Sequence, residues 1–218
     1  MSDDPYLIPG TQVLVNRLNI TNAKDLDQAE RLLVVQRRIE GPPTGNFDLN
    51  HLQAIHYHLF QDVYEWAGQL RTVEINKGGS QFQFRQFIQT GMADIHKRLG
   101  KKKFLSELSA DDFATEAADI LSDVNFVHPF REGNGRAQLE YLRQLGLRAG
   151  HDINPDNLDP NTWQTASKAA FDGSNLEMAK AILSQVTSPK LDDPTKPKDS
   201  DISKMARYLA NRNDGYER

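Results

Sequence analysis

Nine consecutive residues, His128-Pro129-Phe130-Arg131-Glu132-Gly133-Asn134-Gly135-Arg136, bring together an imidazole, a carboxylate, two glycines around an amide, and two guanidinium groups. An imidazole with an ordinary pKa of about 6.5 is largely neutral at physiological pH and can take a proton from a hydroxyl, so His128 is a candidate general base. Gly133 and Gly135 can adopt positive φ at little cost, letting successive N–H groups converge on an anion at the start of the helix that follows. Asn134 adds an amide donor to that nest, and Arg136 a planar, permanently charged fork matched to phosphate oxygens. Glu132, beside such a cradle, is a reasonable ligand for Mg²⁺, which prefers one or two carboxylates together with phosphate oxygens. The set is suited to phosphoryl or nucleotidyl transfer.

Each member also has a plain explanation. A lone histidine is usually structural, a GNG between helices is usually a turn, and nearby Glu and Arg usually form a solvated face. None of these explains the whole set. His51, His56, His58, His96 and His151 show no functional pattern, and no P-loop, GxGxxG turn, HExxH or EF-hand spacing competes.

The elements that must hold this segment are mostly helical. Leu49, Leu52, Ile55, Leu59 and Val63 recur at helical spacing, as do Phe113, Ala117, Ile120, Val124 and Val127, so each set forms an apolar stripe facing a core. Ser109-Ala110-Asp111-Asp112 has the capping pattern of a helix start, and Ser174-Asn175-Leu176-Glu177 repeats it before Leu176, Ala179, Ile182 and Leu183. A further stripe runs through Leu26, Ala29, Leu32, Leu33 and Ile39. Another, with Leu139, Leu142 and Leu145, stops near Gly150, a residue suited to a left-handed C-terminal cap. The chemical segment is thus a loop between two helices. Pro129 disfavours α geometry at His128, which places the imidazole at the first helix's exit.

One segment breaks the pattern. Arg71–Ile75 and Gln81–Phe84 alternate apolar with polar residues around Asn76-Lys77-Gly78-Gly79-Ser80, which predicts a β-hairpin resting on the helical body. Its free edge is either a decorative loop or a docking edge for an extended peptide. From Thr187 onward, SPKLDDPTKPKDSD is nearly devoid of apolar residues and reads as a linker. It leads to a tail in which Ile202, Met205 and Leu209 allow one short helix. The expected organisation is residues 1–186 as one unit and 187–218 as an appendage.

With 218 residues, 26 Lys+Arg against 30 Asp+Glu and a net charge of -4, the chain lacks the basic excess of a protein that neutralises nucleic-acid phosphates. It has no cysteine, which excludes disulfides, thiolate zinc sites and cysteine nucleophiles. No apolar stretch approaches a membrane span, and MSDDPYLIPG carries acids where a signal peptide needs basic residues, so the expected address is the cytoplasm.

HPFREGNGR resembles the HxFx(D/E)GNGRxxR signature of Fic-domain proteins. At about 5% to 7% usage per residue type, the match at His128, Phe130, Glu132, Gly133, Asn134, Gly135 and Arg136 arises by chance in roughly one protein per several million. The likeness extends from DPYLIPGTQVLVNRLNI through DVYEWAGQLRTVEINKGGSQF to about Val186, some four fifths of the chain, and is similar to the bacterial cell-filamentation Fic type. The resemblance implies an all-α Fic fold with a small β-hairpin flap. It also implies an enzyme that moves AMP from ATP to a Tyr, Thr or Ser hydroxyl of a target protein. Carried over by position, His128 deprotonates the hydroxyl, Phe130 anchors the loop and Glu132 holds Mg²⁺. Phe130, Arg131, Gly133, Asn134, Gly135 and Arg136 form the nucleotide and phosphate site, and Ile75, Asn76, Lys77 and Gly78 form the flap tip that registers an extended target segment.

The final Arg of the signature is Leu139 here. In the family that arginine helps hold the terminal phosphate, so its loss opens the question of donor identity. A transferase of another phosphate-linked group, or a catalytically silent docking module, are the alternatives. The family's inhibitory glutamate motif, (S/T)xxxE(G/N), does not occur, since Glu40-Gly41 has Gln36 in the required place. The resemblance leaves room for a small inhibitory antitoxin in trans, although its glutamate would meet Leu139 and not an arginine.

Overall fold

The computed structural model describes residues 4–77 and 80–187. Among these, seven α-helices carry nearly all the regular structure: α1 (Ala23–Glu40), α2 (Leu49–Phe60), α3 (Ile88–Lys101), α4 (Ala110–Val127), α5 (Asn134–Ala149), α6 (Pro160–Phe171) and α7 (Leu176–Leu183). Four two-residue strands make two antiparallel pairs, β1 (Asn76–Lys77) with β2 (Ser80–Gln81) and β3 (Asp152–Ile153) with β4 (Val186–Thr187). The mostly helical class expected from periodicity holds. The expected tail helix and Gly78 lie outside the described residues.

α4 is the axis of the fold, in contact with α3, α5, α6 and α7. It is buried on several sides because Ala114, Ala117 and Ala118 allow close approach while Phe113, Ile120, Leu121, Val124 and Val127 fill the gaps. Ser109 caps its start by accepting from the Asp112 N–H at 3.2 Å. Gly150 caps α5 with φ +91°. α2 packs on α5 and α1 on α2, which brings α1 beside the segment 128–136.

Three local expectations are corrected. The cap before α7 is not made by Ser174: Asn175 is the cap residue, with helical backbone and no side-chain capping bond, and its amide donates instead to Asp119 Oδ1 at 2.6 Å. The buried row of α1 is Leu26, Glu30 and Val34, whereas Leu32 and Ile39 are each 37% exposed. A carboxylate in the inward row is invisible to a pattern that sorts charge outward.

The hairpin exists, but only Asn76↔Gln81 and Lys77↔Ser80 pair, inside what alternation marks as the turn. Beyond these pairs one backbone bond links the stems, from Phe82 N–H to the Ile75 carbonyl at 3.4 Å, and the remaining flanking residues bond the rest of the chain. Arg71 N–H donates to the Pro129 carbonyl at 2.9 Å, Thr72 N–H to the Tyr6 hydroxyl at 3.1 Å, and Gln83 N–H to the Phe126 carbonyl at 3.0 Å.

Candidate active site

α4 ends at His128, whose backbone is left-handed at φ +45°, ψ +63°, and whose N–H closes the helix on the Val124 carbonyl. Pro129 bars the α region, and the cap takes the remaining compact conformation. His128 Nδ1 lies 3.0 Å from the Asn125 carbonyl. A carbonyl only accepts, so the proton sits on Nδ1 and the lone pair on Nε2, the tautomer a base needs. Phe82, from the flap's return, stacks on the imidazole with centroids 3.8 Å apart and planes at 17°, and Phe171 meets Phe82 edge-on.

Arg71, with its side chain wholly buried, joins flap to loop. Its Nε donates to the His128 carbonyl at 2.9 Å and Nη1 to the Val73 carbonyl at 2.8 Å. Nη2 reaches the Gln83 carbonyl, and Glu74 supplies the counter-charge at 3.2 Å. One planar fork thus ties the two flap stems to the residue carrying the imidazole.

The loop proper is 128–133, shorter than sequence indicates, because Asn134, Gly135 and Arg136 already form the first turn of α5. Phe130 is fully buried and stacks on His56, centroids 3.9 Å apart. Its ring anchors the loop, so its place in the phosphate-binding set is corrected to a supporting one. Asn134 lines the cleft, and its side chain accepts from Phe130 N–H at 3.0 Å and donates to the Phe130 carbonyl at 2.8 Å, so the amide also staples the loop. What α5 offers an anion is backbone: its start has no side-chain cap, and the first N–H groups of a helix have no partner within it.

The two glycines differ. Gly133 is left-handed at φ +81°, and a Cβ there would come within 2.5 Å of the Phe60 ring and 3.1 Å of His56 Nε2. Gly135 is helical, contrary to the positive φ expected of it, and a Cβ on it would meet nothing within 4 Å. It lies open on the cleft wall, where the missing side chain admits a ligand to the helix backbone.

Both arginines of the segment are paired. Arg131 binds Asp4 at 2.8 Å. Arg136 Nη1 binds Glu30, Nη2 stands 3.6 Å from Glu132, and the guanidinium lies 4.7 Å over the Phe60 ring. Tyr64 donates to the second oxygen of Glu30; burial and the adjacent carboxylate push its pKa up, so it stays a donor. Glu132 is 47% exposed, accepting from Gly133 N–H at 2.9 Å.

A cleft of about 740 Å³ collects these groups. His128, Arg131, Glu132 and the turn Gly133–Arg136 line one side, and Ile75, Asn76 and Phe82 of the flap another. Lys77 belongs to β1. The far wall is Leu139, Leu158, Pro160 and Trp163. Among the described residues no helix is long and apolar enough to cross a membrane, and no three His, Asp or Glu side chains cluster as a metal site.

Sequence reasoning passed over His56, Arg71, Glu30 and Tyr64. His56 Nε2 donates to the Glu132 carbonyl at 2.9 Å while Nδ1 accepts from Gly68 N–H at 2.8 Å; burial lowers its pKa to about 3. The helical row Leu52, Ile55, His56, Leu59 could have marked it, as a polar residue on an otherwise apolar face.

Comparison with known proteins agrees with this geometry. The profile of the Fic/DOC family matches residues 46–145, spanning α2 to most of α5. A probable protein adenylyltransferase of Sinorhizobium fredii, y4lH, is 38% identical over 181 residues, covering 83% of this chain and 94% of that one. The probable protein adenylyltransferase Fic of Escherichia coli K12 is 34% identical over 187 residues, 85% and 92% of the two chains. The crystal structure of BepC from Bartonella tribocorum, with bound AMPPNP, superposes with a TM-score of 0.77 at 28% identity, covering 85% of this chain and 97% of that one. With relatives 38% and 34% identical covered over more than nine tenths of their length, the chain belongs to the Fic/DOC family.

Proposed function

We propose that the protein is an adenylyltransferase, moving AMP from Mg-ATP to a Tyr, Thr or Ser hydroxyl of a target protein. The observation that carries this reading is the His128 tautomer, with Nδ1 tied to the Asn125 carbonyl and the Nε2 lone pair beside the uncapped start of α5 in one cleft. His128 Nε2 takes the proton as the target oxygen bonds to the α-phosphorus, and the bond from that phosphorus to the β-bridging oxygen breaks to release pyrophosphate. The backbone N–H groups of α5 and Arg136 stabilise the charge that builds on the phosphoryl oxygens. The relatives named as adenylyltransferases and the AMPPNP bound to BepC support the same donor.

The charged lining holds three acids, Asp4, Glu74 and Glu132, against Arg131 and Arg136, so a polyphosphate needs added positive charge there. Glu132, half exposed on the wall, fits one carboxylate ligand of a Mg²⁺ whose other ligands are phosphate oxygens. Held by Glu132, such an ion would supply positive charge against the donor's phosphates. Ile75, Asn76, Lys77 and Gly78 register the target segment by strand addition to the flap edge. In this reading residues 1–186 form the catalytic unit, 187–218 an appended arm, and the cytoplasm supplies the ATP.

Leu139 and its apolar neighbours favour a second reading, transfer of another phosphate-linked group. ATP labelled on the α- or γ-phosphate, incubated with the protein, Mg²⁺ and a lysate, decides. Label from the α position with the added mass of one adenylyl group supports adenylylation, and label only from the γ position replaces it with phosphate transfer. No label with any nucleotide donor leaves a docking module. A small inhibitory chain in trans faces a specific obstacle, since Leu139 offers its glutamate no guanidinium and Arg136 is already paired with Glu30. Co-purification with the product of a neighbouring short reading frame supports such a partner, and labelling indifferent to it removes the idea.

A further inference from the structure

Glu30 is a buried carboxylate on a helix outside the signature loop. Its side chain is 6% exposed, and both oxygens are engaged, one by Arg136 Nη1 and the other by the Tyr64 hydroxyl. A buried charge without partners is strongly disfavoured, so this placement is stable only while the ion pair and hydrogen bond persist. Three elements meet at the contact: α1 through Glu30, the segment after α2 through Tyr64, and α5 through Arg136.

The two ends of the contact differ in the spaces they face. Arg136 lines the large cleft and Glu30 does not. Glu30, Tyr64 and Arg136 share instead a smaller hollow of about 260 Å³, and Arg136 and Glu132 line both spaces. The guanidinium is thus a partition, held from behind at Nη1 and from below by the Phe60 ring, with Nη2 turned toward Glu132 at 3.6 Å. With Leu139 apolar, Arg136 is the cation that α5 contributes to the cleft wall. A long side chain that must be ordered on binding reduces affinity, and one ordered beforehand does not.

We infer that Glu30 and Tyr64 are positioning residues for Arg136, pre-setting its fork toward the phosphates of the donor, so that α1 is part of the nucleotide site. The inference rests on the nucleotide-binding reading above. It differs from a competitor role for Glu30, in which the carboxylate would occupy the fork in place of phosphate and its removal would tighten binding.

The test is Mg-ATP affinity by titration calorimetry on the full chain, which needs no turnover, in a double-mutant cycle of Glu30→Gln and Tyr64→Phe with Arg136→Gln. Glu30→Gln should weaken binding on the order of tenfold, Tyr64→Phe by a smaller factor, and neither should weaken it further once Arg136 is Gln. Unchanged or tighter binding by Glu30→Gln overturns the inference. So does an equal loss in the Arg136→Gln background, since a structural defect would not depend on Arg136. Tyr64→Phe removes only a hydroxyl and carries the cycle if Glu30→Gln does not fold. A wild-type chain that fails to bind Mg-ATP overturns the nucleotide reading and this inference together, whereas binding that ignores Glu30 and Tyr64 overturns this inference alone.

Discussion

The His56 ring lies face to face with the Phe130 ring at 3.9 Å, and its two nitrogens bridge the Glu132 carbonyl and the Gly68 N–H. One buried side chain on α2 therefore supports the signature loop from below and joins it to the chain leading into the flap. The bridge needs a neutral ring with its proton on Nε2. A second proton on Nδ1 would face the Gly68 N–H, a donor against a donor. Burial in this contact holds the ring's pKa at about 3.

Folding should therefore weaken in acid through His56. The folded pKa of about 3 lies below the unfolded value of about 6.5. The stabilisation of the neutral ring is complete above the unfolded pKa and is lost as pH falls toward the folded one, because the unfolded chain takes up a proton that the folded chain refuses. The slope is about 1.4 kcal/mol per pH unit for each such group. His51, also lowered by burial, adds to the same window. Urea denaturation between pH 6.5 and 4 should show this fall. His56→Phe should be less stable at pH 7 yet lose less stability over that interval; parallel curves for the two proteins would refute the assignment.

Much of this frame is legible in the sequence, and the reasons for the rest are local. α4 is readable because its apolar residues recur without interruption and Ser109 caps it. The flap strands are misplaced by alternation because Arg71 looks outward by type, whereas its fork is buried where four backbone carbonyls and Glu74 can receive it. Glu30 is hidden for the same reason, a charge whose partners come from segments far away in the chain. Asn134 and Gly135 carry the residue types the chemistry asks for, but one serves the loop's own backbone and the other serves by having no side chain.

The two glycines of the signature should respond oppositely to alanine. Gly133→Ala forces a left-handed alanine, at about 1–2 kcal/mol, and presses a methyl into Phe60, at about 1–3 kcal/mol for overpacking. Loss of stability by chemical denaturation should be of that combined order. Gly135→Ala meets open space and should leave stability unchanged or raised by up to about 1 kcal/mol, while its methyl stands in the cleft and weakens Mg-ATP binding. A stable Gly133→Ala protein, or a Gly135→Ala protein with unaltered affinity, would contradict the division.

Arg71→Met should be among the more damaging substitutions outside the cleft. It leaves the His128, Val73 and Gln83 carbonyls without a shared donor, at about 1–3 kcal/mol for each buried acceptor left unsatisfied, and leaves Glu74, 40% exposed, with Arg85 at 3.7 Å as its remaining cation. Arg71→Lys keeps the charge without the fork and should recover only part of that stability. Proteolysis of the native protein should move to the segment 71–84 in both variants, and cleavage unchanged in that segment would count against a clamp.

His128 combines a structural and a chemical duty, and substitution can separate them. The left-handed cap at φ +45° is tolerated by asparagine better than by alanine, so His128→Asn should keep more of the wild-type stability than His128→Ala. Neither offers a base, so both should lower the rate of adenylyl transfer by about 10²- to 10⁴-fold with Mg-ATP affinity nearly unchanged, because proton removal belongs to the chemical step. Equal rates in wild type and variant would assign the base to another group in the cleft.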